Sequence, residues 1–159
     1  MNLFSLAIFA CVFLLFSIAG FIWRIDKVWY NSLKKPFLTP KPIFFAVIWP
    51  ILFVLISVAT ALMYNQFEIR QAKLFYIVLF LNYIFNQAYS YIQFKKKDLF
   101  LSSIDAALVA ISSLALVLIT FPLESIASIL LFPYFLWTSF ATYLAIDLYS
   151  LNKNPVKMR

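Results

Sequence analysis

Long apolar runs separated by short polar connections dominate the chain. Met1 to Trp23, Pro42 to Phe67 and Leu74 to Phe94 carry no charge, Leu99 to Leu123 carries only Asp105, and Ser125 to Asn152 only Asp147. A helix crosses the roughly 30 Å hydrocarbon core in about 20 residues, so every run is long enough to span it. Stretches such as Phe13-Leu14-Leu15-Phe16 and Ile129-Leu130-Leu131-Phe132 are apolar on every side. The strands of a membrane barrel alternate instead, and a helix in lipid satisfies its own backbone. The pattern predicts an all-α membrane protein, a five-transmembrane-helix bundle in one domain over residues 1–159, with helices over about 3–23, 43–65, 73–94, 98–121 and 125–150. Five spans use roughly 100 residues, so any function lies between helices or in loops. Ser17-Ile18-Ala19 has the small-x-small form of a cleavage site, but no Lys or Arg precedes the run, and the first helix is expected to be retained.

Residues 24–42 form the one long connection, Trp29-Tyr30-Asn31-Ser32-Leu33-Lys34-Lys35-Pro36-Phe37-Leu38-Thr39-Pro40-Lys41-Pro42 at its core. Pro36, Pro40 and Pro42 fix φ and disfavour helix before them, which predicts a stiff, extended loop with Trp29 and Tyr30 at the membrane interface. Long loops in compact domains often act as lids. Pro50 and Pro133 fall near the starts of their helices and are expected to bend rather than break them.

Charge adds orientation. Arg24, Lys27, Lys34, Lys35 and Lys41 lie in the long loop, Lys95 to Lys97 in the third connection, and Lys153, Lys157 and Arg159 in the tail. Of the thirteen basic residues only Arg70 and Lys73 fall on the opposite side. The positive-inside rule then places the N-terminus outside and the C-terminus in the cytoplasm. The net charge of +7 is accounted for by anionic membrane lipid and implies no nucleic acid.

Composition removes most enzyme chemistry. There is no histidine, a single cysteine (Cys11) and a single glycine, so no metal site, no intrachain disulfide, no Gly-rich phosphate loop and no cofactor are expected. Two carboxylates lie within spans, where they are costly and by default functional candidates. Asp147 reads as interfacial. Asp105 reads either as a structural residue, reaching the interface or pairing with Asn86, Gln87 or Ser90, or as a functional one.

Spacing points to an aromatic wall. Trp49 and Phe53 share a face of the second helix, Asn82, Phe85, Asn86 and Tyr89 a face of the third, and Tyr134, Trp137, Ala141 and Leu144 a face of the fifth. Such stripes either pack helix on helix or line one cavity with a few fixed polar groups. A flat conjugated ring would stack on Trp49 and Trp137, and its carboxylates would seek Lys34, Lys35 and Lys41 in the loop. Tyr30, Pro40 and Phe45 complete the candidate ligand-binding set.

The same residues carry a resemblance. Trp29, Tyr30, Leu33, Lys35, Pro36 and Pro40 resemble the loop signature of the translocator protein (TspO/MBR) family, the tryptophan-rich sensory proteins. Val47-Ile48-Trp49 with Leu52-Phe53, then Leu81-Asn82 with Phe85, then Leu131-Phe132-Pro133-Tyr134-Phe135-Leu136-Trp137 with Phe140-Ala141 resemble its further motifs in order. Departures are Lys41 for a second proline, Leu38 and Phe85 for tryptophans, and Ala145 for an asparagine. The cholesterol-recognition stretch of animal members is not reproduced, apart from a loose Leu144…Tyr149…Lys153 pattern. The resemblance implies binding of a tetrapyrrole such as protoporphyrin IX as ligand or substrate, a stress-linked role and a homodimer. It also implies light- and oxygen-dependent porphyrin breakdown, in which Trp49 and Trp137 would act as electron donors without a conventional catalytic constellation. Small residues Ala106, Ala107, Ala110 and Ser113 offer a face for the dimer. A porphyrin transporter and a ligand-dependent membrane sensor are the alternatives. Against the transporter stand the lack of paired half repeats and of a helix broken at midplane.

Overall fold

The computed structural model describes residues 3–153, which places Lys157 and Arg159 outside the described residues. The helices are α1 (Leu3–Ile22), α2 (Lys27–Ser32), α3 (Pro42–Gln66), α4 (Lys73–Ser90), α5 (Leu99–Thr120) and α6 (Ser125–Asn152), and a π-helical segment, Tyr91–Lys96, extends α4. Among the described residues there is no strand. The five long helices match the sequence reading to within a few residues. Pro42 opens α3 at its first turn, where a missing N–H does no harm. Asp98 and Glu124 cap α5 and α6 by accepting from Leu101 N and Ile126 N. Pro50 and Pro133 lie inside unbroken helices, as expected.

Among the described residues, four helices, α1, α3, α5 and α6, are long and apolar enough to cross a membrane. The shorter α4 is more polar because Asn82, Asn86 and Gln87 lie along it. The helices are neighbours in the order α1, α3, α6, α5, α4 and back to α1, so they close into a ring. Phe16 of α1 packs on Phe53 of α3 at 5.7 Å and on Tyr83 of α4 at 5.5 Å between ring centroids. The core beneath is built from Ile56, Met63, Phe75, Leu116, Leu131 and Tyr134, all fully buried. Most large apolar side chains elsewhere point outward: Leu14, Ile111, Leu118 and Ile129 are each more than 60% exposed. Such an outer surface suits lipid rather than water.

Two expectations change. The long loop is not extended throughout. Asp26 caps a helical turn, accepting from Trp29 N at 3.1 Å, and α2 runs to Ser32 before the prolines impose extended backbone. Proline restricts only itself and the residue before it, so the Pro36–Pro42 stiffness never reached Lys27–Ser32. The small-residue face proposed for the dimer is also used differently. Ala106, Ala110 and Ser113 are buried against α6 within one chain: Thr142 Oγ1 donates to the Ala106 carbonyl and Ser113 Oγ meets Thr138 Oγ1, both at 2.8 Å. Small side chains let two backbones approach, and α6 of the same chain takes that space first.

Ala110→Leu is expected to destabilise the monomer by about 1–3 kcal/mol, the usual effect of forcing extra methylenes into a close-packed seam. Thermal unfolding in detergent checks it; a variant that loses only self-association and no stability would return this face to the dimer.

Candidate functional site

Between α3 and α6 lies a cluster of aromatic rings. Trp49 and Trp137 meet edge to face, 6.5 Å apart at 87°. Trp49 also packs on Phe53 at 5.6 Å and on Tyr134 at 6.5 Å, and Trp137 on Phe45 and Phe140, each at 5.7 Å. Helical spacing makes this possible: Phe45, Trp49 and Phe53 recur every four residues on α3, and Tyr134, Trp137 and Ala141 every three to four on α6. Both tryptophans are half-buried. The indole Nε1–H of Trp137 is buried with no hydrogen-bond partner among the described residues. A buried donor without an acceptor is unfavourable by about 1–3 kcal/mol, so this N–H is a polar contact that an acceptor in the cluster would satisfy.

The polar residues of α4 are, by contrast, already engaged. Asn82 is fully buried; its Nδ2 donates to Ser112 Oγ at 2.8 Å and to the Val109 carbonyl at 3.2 Å, while its Oδ1 accepts from Tyr134 Oη at 2.9 Å. Asn86 Nδ2 donates to the same Tyr134 Oη at 3.4 Å. These bonds tie α4, α5 and α6 into the floor of the cluster. Phe85 is half-buried and packs against the same core. Leu144 is buried on α6 but outside the apolar cluster that holds Tyr134 and Trp137.

The loop closes one end of the bundle and is held there at three points. Lys97 Nζ pairs with Asp26 Oδ2 at 2.8 Å and lies 5.5 Å over the Trp29 ring. Asn152 clamps the loop backbone, its Oδ1 accepting from Lys34 N at 3.0 Å and its Nδ2 donating to the Lys34 carbonyl at 2.9 Å. Tyr30 packs its edge on Phe94 at 6.4 Å. These contacts put the loop, the α4–α5 connection and the end of α6 on one side, as the charge pattern requires. Burial pushes the Tyr30 hydroxyl above its ordinary value, so it stays protonated. The Lys97 ammonium, then the Trp29 amide, hold the Asp26 carboxyl below its ordinary value. Lys34, Lys35 and Lys41 are exposed; Lys35 Nζ lies 5.1 Å over the Tyr30 ring and donates to Asn31 Oδ1. Pro40 is half-buried.

Sequence reasoning missed the tethers Asp26, Lys97 and Asn152 and the partner Ser112. An Asp three residues before Trp29 is a legible cap signal. Its pairing with a lysine 71 residues away is not.

Asp105 is buried, 6% exposed, and its Oδ2 has no hydrogen-bond partner among the described residues. Asn86 is taken by Tyr134, and Gln87 Nε2 by the Phe16 carbonyl at 3.3 Å. Asp147 is half-buried near the end of α6.

The sequence profile of the TspO/MBR family matches residues 6–150. The chain belongs to the TspO/MBR family. Two similar proteins are bacterial. The "Tryptophan-rich protein TspO" of Bacillus cereus is 43% identical over 148 residues, 93% of this chain and 96% of that protein. The "Uncharacterized membrane protein YtaB" of Bacillus subtilis is 46% identical over the same length, with the same coverage. Membership fits an integral membrane protein whose outward surface is apolar, and the family's motif residues Trp49, Phe53, Asn82, Tyr134 and Trp137 are those gathered around the cluster.

Two outcomes follow. Asp26→Asn keeps the cap, since Asn caps about as well as Asp, but removes the ion pair. Because the folded carboxyl is held below its ordinary value of 3.8, the tether is intact above that value and is lost as pH falls through the lower, folded one. Hydrogen exchange of the 27–32 amides should therefore be slow from neutrality to about that pH and fast below it. In Asp26→Asn it should be fast at neutral pH; equal protection in the variant would show that the pair holds nothing. Asp105→Asn replaces a lone buried carboxyl with a neutral isostere and should leave thermal stability unchanged or raised; a large loss would mean that its charge is paired.

Proposed function

We propose that this chain is a five-span membrane protein, with α4 and its π-helical extension as the fifth span, that binds a tetrapyrrole such as protoporphyrin IX between α3 and α6. The N-terminus lies outside and the basic, loop-covered end faces the cytoplasm. The observation that carries the reading is the Trp49–Trp137 pair with the unpartnered Trp137 Nε1–H beside it. A flat apolar ring inserts by replacing ring–ring contacts with ring–ligand contacts of the same kind, and it offers the indole N–H an acceptor. The floor made by Asn82, Ser112 and Tyr134 holds the two walls at fixed spacing rather than touching the ligand.

Lys41, one turn before Phe45 on the α3 face, is the best-placed cation for a propionate. Lys34 and Lys35 reach it from the loop. With the ligand held against two oxidisable indoles, light and oxygen would supply the chemistry of breakdown, and the chain would supply position and exclusion of water. A homodimer would use an outward face, because the α5–α6 seam is occupied within one chain.

The test is titration of protoporphyrin IX by its own absorbance, anaerobically, followed by illumination in air. Replacing both tryptophans, Trp49→Phe with Trp137→Phe, should weaken binding roughly 5–150-fold, given about 0.5–1.5 kcal/mol per aromatic contact. Equal affinity would remove the ligand from this cluster. Porphyrin loss in the dark would contradict the photochemical step, and none in the light would leave a binder.

A further inference from the structure

At the loop-covered end of the bundle, the π-helical segment, the start of α5 and the last turns of α6 border an open surface groove of about 400 Å³. Lys96, Lys97, Asn152 and Lys153 line it; the Lys96 ammonium lies 5.5 Å over the Tyr91 ring and the Lys97 ammonium is on Asp26. Phe100 and Tyr149, whose rings pack at 5.3 Å, give it an apolar wall. Asp98, the carboxylate of its lining, caps α5, accepting from Leu101 N at 2.9 Å, and Asp26 pairs with Lys97. Three lysines against these two carboxylates leave an excess of positive charge at the end of the membrane helices, which a further anion would offset. Cations above an aromatic wall at that depth are the chemistry that recognises an anionic phospholipid: phosphate on the ammonium groups, glycerol and first methylenes along Phe100 and Tyr149.

Lys97 adds an independent sign. It has φ 59°, the one left-handed non-glycine among the described residues. That conformation favours glycine or asparagine, so a lysine there is kept for its side chain. The side chain is also a lid tether, and so is the neighbouring Asn152. The Asp26–Lys97 pair is about two-fifths exposed on both sides, so solvent screens it and a competing anion can reach it.

We propose that this groove binds the phosphate headgroup of an anionic phospholipid, and that the headgroup draws Lys97 and Asn152 away from Asp26 and Lys34, releasing the loop. The site is separate from the aromatic cluster, so the proposal stands whatever ligand that cluster takes. Lipid composition would then set how often the loop opens.

The experiment uses the full chain in nanodiscs of phosphatidylcholine, with and without a minority of phosphatidylglycerol. Retained phosphatidylglycerol is counted by native mass spectrometry, and loop release is read as hydrogen exchange of the 27–36 amides. The wild type should retain phosphatidylglycerol, and its loop amides should exchange about tenfold faster in the anionic discs. Lys96→Gln with Lys153→Gln leaves both tethers in place; it should lose the retained lipid and the response of the loop. Retention equal to wild type in that variant, or wild-type loop exchange that is the same in both discs, overturns the proposal. If soluble glycerol 3-phosphate added to phosphatidylcholine discs reproduces the loop release, the groove takes free phosphate and the lipid assignment fails.

Discussion

A polar group inside a greasy bundle must find a partner, and here that requirement converges on Asn82. Its amide joins α5 through Ser112 and the Val109 carbonyl, and its carbonyl oxygen joins α6 through Tyr134. Apolar packing in lipid gives helices little reason to choose one register over another, because a lipid tail serves as well as a leucine. Hydrogen bonds of fixed length and direction do choose. Once Tyr134 is held by Asn82 and Asn86, Trp137 lies one turn further along α6, facing Trp49, and the ring cluster follows from the polar node beneath it.

The α5–α6 seam works on the same principle with smaller groups. Ser113, Thr138, Thr142 and Ser128 each bond across the seam or back into their own turn, so at these four positions two helix backbones approach with the hydroxyls paired. The seam and the Asn82 node leave α3 as the helix of the site fixed mainly by apolar and ring contacts. Movement that would admit the flat ligand proposed above is cheapest there.

Much of this was legible in the sequence, and the reason is physical. Spans announce themselves because lipid tolerates nothing else, and the three-to-four spacing of Phe45, Trp49 and Phe53 or of Tyr134 and Trp137 fixes which rings share a face. Legibility ended where partners are far apart in the chain. Asn82 read as a ligand contact, with helix packing as the alternative, and its hydrogen bonds to α5 and α6 became visible only in the folded chain. Ala106, Ala110 and Ser113 read as an interface, which they are, but the spacing did not say with which helix. The loop prolines explained the stretch from Leu33 onward and nothing before it. Asp105 stood out as a buried carboxylate from its position alone, but its isolation from Asn86 and Gln87 became visible only once both had found other partners.

The polarity of α4 has one more consequence. Alone in lipid, a helix carrying Asn82, Asn86 and Gln87 would present several unpaired amides to hydrocarbon. In the folded ring, Asn82 and Asn86 find partners on α5 and α6, which follow in the chain, and the Gln87 Nε2 donates to the Phe16 carbonyl of α1, which precedes it. On the five-span reading, the bundle is therefore not a row of segments that enter the bilayer one by one on their own merit. The middle helix waits for company, and its biogenesis is tied to the synthesis of the two helices after it.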